Sequence, residues 1–181
     1  MRNTFGKIPN WVLLAVSLIS LALGAYGMVK IVPLFLQTLG SAPVQTERII
    51  APDFALFDLD DRKVALSDFR GKKVIVTFWT TWNEISMEQL NIAHSYYANA
   101  DHDTIVVLAI NSQEDGLVVG EVVKQSSIRV PVLLDGEGEV GELYHVGVLP
   151  LTIFINTNGF ESERFIGLVP FQTIQDAVDR L

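Results

Sequence analysis

Not one of the 181 residues is cysteine. Disulfide crosslinks, thiolate nucleophiles and thiolate-ligated metals or clusters are therefore excluded, since each needs a cysteine. Acidic side chains are missing from the first 46 positions, where Arg2, Lys7 and Lys30 are the only charges. Between Trp11 and Val29 there is no charge of either sign. As a helix that run spans about 28 Å, close to the ~30 Å hydrocarbon core of a bilayer. Apolar character continues through Ile31-Val32-Pro33-Leu34-Phe35-Leu36, and mean hydropathy over the chain is +0.34. The run is longer than the core of a signal peptide, and no A-x-A cleavage pattern follows it. Residues 1–38 are thus predicted to be a cytoplasmic N-terminus and a retained transmembrane helix. Residues 39–50 read as a linker and 51–181 as one domain. Arg2 and Lys7 place the N-terminus inside and the domain on the extracytoplasmic (periplasmic or outer) face of the cell membrane.

What is present beyond the anchor is strongly acidic. From Glu47 onward ten basic side chains face 21 acidic ones, a formal charge of −11. Such a domain is a poor partner for nucleic acid.

Elements follow from periodicity and turn chemistry. Phe54–Asp58 and Val64–Leu66 read as a hairpin turning at Asp60-Asp61, and Ser67–Gly71 as a single turn. Val74–Trp79 and Thr104–Ile110 are short apolar runs suited to strands buried on both faces. A helix is predicted from Glu84 to Ala98 with Met87, Leu90, Ala93 and Tyr97 on its buried stripe. A helix at 117–125, a strand at 130–134 and a helix at 137–145 come next. Strands at 151–156 and 161–166 flank Thr157-Asn158-Gly159, and a helix beginning near Pro170 buries Phe171, Ile174, Val178 and Leu181. The sum is an α/β fold with a mixed central sheet, flanking helices and an αβ insertion.

An ordered set of motifs over about seven-tenths of the chain resembles the TlpA/ResA group of membrane-anchored thioredoxin-like proteins, within the redoxin (AhpC/TSA) superfamily. Pro52-Asp53-Phe54 is similar to the group's opening P-x-F. Phe78-Trp79-Thr80-Thr81-Trp82 resembles the strand that leads into W-C-x-x-C, and Glu88 falls where members often carry glutamate. Val132–Asp135, Tyr144-x-Val146 and Leu149-Pro150-x-Thr152 follow in order. The resemblance implies a thioredoxin-like fold in which Leu149-Pro150 is cis and faces the redox turn across a shallow groove.

Asn83 and Ser86 stand where the group places its two cysteines. Neither an amide nor a hydroxyl can exchange disulfides. Asn91 replaces a common proline, Val148 a glycine and Leu151 a threonine, all near that groove. Peroxiredoxins place T-x-x-C at the same turn, and Thr80–Asn83 again lacks the sulfur.

The resemblance leaves no catalytic residue. Asn83 and Ser86 are expected to serve as hydrogen-bonding cap residues of the helix. Trp82, Glu84, Ile85, Leu149 and Pro150 form the candidate binding groove, with Trp82 at its rim and Trp79 in the core. His94, His102 and His145 share no ligand spacing, and nothing reads as a cofactor site. Asp135–Glu139 fails as a calcium loop because Val140 and Val146 occupy its sixth and twelfth positions, so a solvated acidic turn capping a helix is expected.

Three functions compete. The first is a redox-silent protein-binding module, an accessory or structural subunit of a membrane complex. The second is the thiol–disulfide oxidoreductase activity that the family implies. The third is a chaperone-like hold on extended peptides at the cis-proline groove.

Overall fold

A computed structural model describes residues 49–181; the expected anchor (1–38) and most of the linker lie outside the described residues. Among the described residues no helix is long and apolar enough to cross a membrane. Seven strands form one mixed sheet: β1 (Ala55–Asp58), β2 (Lys63–Ala65), β3 (Lys73–Trp79), β4 (Ile105–Ser112), β5 (Val132–Asp135), β6 (Leu151–Ile155) and β7 (Glu161–Ile166). Their order is β2-β1-β5-β4-β3-β6-β7. The central strands β3, β4 and β5 are parallel, and β1, β6 and β7 add antiparallel pairings on either side. Besides a 3-10 turn at Leu66–Phe69, four α-helices follow the predicted order among the described residues: α1 (Glu84–Asn99), α2 (Gly116–Gln125), α3 (Glu139–Leu143) and α4 (Phe171–Asp179).

Alternation in β3 divides the core in two. Ile75 and Trp79 pack on one face with α1, α2 and α4 through Leu90, Ala93, Val119, Ile174 and Val178. Val74, Val76 and Phe78 pack on the other with Phe54, Leu66, Val140 and Tyr144. From Val74 to Trp79 β3 is buried on both faces, and its one polar side chain there, Thr77, lies 3.3 Å from the Thr152 hydroxyl.

Three details differ from expectation. The buried stripe of α1 is Ser86, Gln89, Leu90, Ala93 and Tyr96, so Tyr96 occupies the core place predicted for Tyr97. Helix α3 spans only Glu139–Leu143, because Gly138 enters it in the left-handed conformation (φ 76°) and Gly136 precedes it. The acidic turn does cap this helix, yet Asp135 is buried instead of solvated: its carboxylate accepts from the Val140 and Gly141 amides at 3.2 and 2.8 Å. Both oxygens are thereby occupied by backbone donors.

The strand register fixes two opposite ends of the sheet. Lys73 pairs with Ile105 at one end, and Trp79 with Asn111 at the other. The 149–151 and 166–168 segments lie at the Trp79 end, since β6 runs antiparallel to β3 and β7 to β6. The entering chain lies at the Lys73 end, where the Glu161 amide donates to Ile49 and the Ala51 amide to Gly159.

Candidate functional site

The turn leaving β3 starts helix α1, and Asn83 is the residue that makes it a helix start. Its backbone is extended, and its Oδ1 accepts from the amides of Ile85 (3.0 Å) and Ser86 (3.1 Å). An asparagine N-cap satisfies donors that the first helical turn would otherwise leave orphaned. The same side chain reaches further than a cap. Its Nδ2 donates to the Leu149 carbonyl at 3.3 Å, joining the helix start to the loop that carries the cis Leu149-Pro150 bond. The Pro150 carbonyl in turn accepts from the Gly167 amide at 2.8 Å. Asn83, Leu149 and Pro150 are thus brought together as the motif reading requires.

Ser86 corrects the expectation. It is buried beneath the turn and its Oγ has no hydrogen-bond partner, so it packs where a cap residue would bond. The reason is geometric: Asn83 already supplies the acceptor for the first free amides, and position 86 points into the core one turn later. Trp82 has 73 % of its surface exposed, and Trp79 is wholly buried. Ile85 and Val148 are more than half exposed, and Glu84 is exposed too.

Sequence reasoning missed the residues that brace this turn. Glu114, in the loop after β4, accepts from the Thr81 amide and the Asn111 Nδ2 at 2.7 Å each, and from the Thr81 hydroxyl. Thirty-three positions separate Thr81 from Glu114, and no local pattern announces the pairing. Gln89 is buried one turn beyond Ser86, and its Oε1 accepts from the Val169 amide at 2.7 Å. A polar pair three apart at the head of an apolar stripe was the available signal.

Buried polar atoms without partners gather at this same end: Trp79 Nε1, Thr80 Oγ1, Ser86 Oγ, Gln89 Nε2, Asn111 Oδ1 and Ser112 Oγ. Such atoms carry a desolvation cost, and folded proteins keep them rare. A cavity of about 400 Å³ opens beside Leu149, walled by Ser112, Glu142, His145 and Gly147. The histidines do not converge: His94 accepts from the Arg129 amide, His102 stacks on Tyr97, and His145 ends α3 at φ 54°. Thiol chemistry has no reacting atom here. What the arrangement offers is exposed apolar surface at Trp82, Ile85 and Val148 beside a helix start braced by Asn83 and Glu114.

Residues 49–160 match the AhpC/TSA family. The chain belongs to that family. Among curated relatives, this AhpC/TSA member is 30 % identical over 131 residues to the thiol-disulfide oxidoreductase ResA of Geobacillus thermodenitrificans, covering 72 % of this chain and 75 % of the relative. It is 32 % identical over 109 residues to ResA of Bacillus subtilis, covering 60 % and 61 %. Among solved structures, the pneumococcal exposed lipoprotein thioredoxin Etrx1 from Streptococcus pneumoniae superposes with a TM-score of 0.66 at 28 % identity, over 72 % of this chain and all of that one. The α/β thioredoxin-like fold and the redoxin kinship are thereby established for the described domain.

Proposed function

We propose that this AhpC/TSA member binds other proteins at the Trp82–Leu149 groove and exchanges no disulfide of its own. The observation that carries the reading is the substitution of Asn83 and Ser86 at the redox turn of a scaffold that is otherwise kept. Asn83 is built into the structure by three hydrogen bonds, two that cap the helix and one to the Leu149 carbonyl. Exposed aromatic and branched apolar side chains beside a braced groove are suited to holding a partner. The uncharged run Trp11–Val29 acts in this reading as a single membrane anchor with the domain outside, as an accessory subunit of a membrane complex.

The kinship with ResA favours a second reading, thiol–disulfide oxidoreductase activity, which would require sulfur from another molecule because this chain has none. Fold alone does not carry chemistry. Two measurements on the full chain in mild detergent separate the readings. Insulin reduction by dithiothreitol should run at the no-protein rate, and a faster rate overturns the first reading. A photo-crosslinker at position 82 should yield a discrete adduct in the native membrane, lost on Leu149→Asp and absent from a crosslinker at position 63. Adducts indifferent to Leu149→Asp overturn the groove. The anchor is tested by alkaline carbonate extraction: release of the protein into the soluble fraction would remove it.

A further inference from the structure

Charge is polarised along the sheet. The segments that build the groove end are 80–90, 112–118, 135–151 and 166–171, and none contains lysine or arginine. Six exposed carboxylates, Glu84, Glu88, Asp115, Glu137, Glu139 and Glu142, lie in them. No salt bridge reaches any of the six; the described ion pairs use Asp58, Asp60, Glu161 and Glu163 instead. Arg164 touches the region only through the Tyr144 carbonyl, and its charge is matched by Glu161. The remaining described cations lie elsewhere: Arg70, Lys72 and Lys73 lead into β3 with Arg62 and Lys63 beside them, Lys124 lies in the last turn of α2, Arg180 follows α4, and Arg129 precedes β5. These carboxylates are scattered through the chain; the parallel strands alone bring them together, because α1, α2 and α3 each begin at the same end of the sheet.

The carboxylates share this end of the sheet with exposed apolar surface at Trp82, Ile85 and Val148, and Glu142 walls the cavity beside Leu149. We propose that the groove takes an extended segment of another protein in which apolar side chains alternate with lysine or arginine. This inference rests on the groove being a protein-binding site and adds the chemistry of what it binds. The apolar side chains lie along Trp82 and Ile85, and a flanking cation enters the cavity toward Glu142. Complementary charge raises the encounter rate and excludes acidic segments, and both effects weaken as salt screens them.

Fluorescence anisotropy tests this with the full chain in mild detergent and two short labelled peptides, one alternating valine and lysine, the other valine and glutamate. At low salt the lysine peptide should bind at least about tenfold more tightly, and about 0.5 M salt should erase the preference, since the Debye length there is only a few ångströms. The combined variant Glu84→Gln, Glu139→Gln, Glu142→Gln should lose the preference while keeping its fold by circular dichroism. Trp82→Ala should abolish binding of the lysine peptide. Equal binding of both peptides, still lost in Trp82→Ala, overturns the charge preference and leaves the protein-binding reading standing. Binding of neither peptide, or binding indifferent to Trp82→Ala, overturns both.

Discussion

Replacing Asn83 by alanine removes three hydrogen bonds at once, and their separate sizes can be worked out. Loss of the cap to the Ile85 and Ser86 amides should cost about 1 kcal/mol, the usual value for an asparagine N-cap. The 3.3 Å bond from Nδ2 to the Leu149 carbonyl is part-buried and neutral, adding about 0.5–1 kcal/mol. The sum of about 1.5–2 kcal/mol corresponds to a fall in Tm of about 5–8 °C for a domain of this size. Asn83→Asp separates the two contributions. Aspartate keeps the acceptor at the helix start and suits the positive end of the helix dipole, but has no donor for Leu149. Thermal and urea unfolding of both variants, followed by circular dichroism, should therefore rank wild type above Asn83→Asp above Asn83→Ala. If alanine costs less than about 0.3 kcal/mol, or aspartate is as damaging as alanine, the bracing role assigned to Asn83 is wrong.

Asn83→Cys with Ser86→Cys should restore a pair at the helix start, where the helix N-terminus favours the thiolate, and insulin reduction should rise at least about tenfold over wild type. An inactive double variant whose disulfide forms would show that more than the two sulfurs has been lost. Ser86→Ala removes a buried hydroxyl that has no partner, so stability should hold or rise by up to about 1 kcal/mol, and a comparable loss in urea unfolding would contradict the packing described. Burial, with Glu161 and Asp53 nearby, raises the Tyr144 phenol above its ordinary value. The native state therefore favours the protonated phenol; its contribution is complete below about pH 10 and is lost as pH rises beyond that. Urea midpoints should fall between about pH 9 and 11 in wild type and less steeply in Tyr144→Phe; identical slopes would exclude this cause.

Most of the fold was legible because its signals are local. The apolar run of β3, the Asn158-Gly159 turn and the spacing of Ile174 and Val178 each fix an element from its own residues. The β6–β7 connection is longer than a two-residue turn, since the Asn156 side chain also accepts from the Asn158 and Phe160 amides. Helix α3 was overread because flanking glycines shorten it, and Tyr96 and Tyr97 are adjacent aromatics that periodicity ranks poorly. At the site, Asn83, Trp82 and Pro150 were readable from motif order. The Glu114 brace, the inward Ser86 and the ring of carboxylates were not, because each depends on which segments the sheet brings to one end.

The point where the chain enters has a mechanical consequence. Ile49 and Ala51 are stitched to the β6–β7 turn, at the opposite end of the sheet from Pro150. Strand β3 alone separates the two ends by about 20 Å. A force applied through Ile49 loads the β6–β7 turn first and reaches the Pro150 end only along the length of the sheet. A partner bound at Trp82, as proposed, would leave the Ile49 and Ala51 hydrogen bonds at the other end of the sheet uncovered.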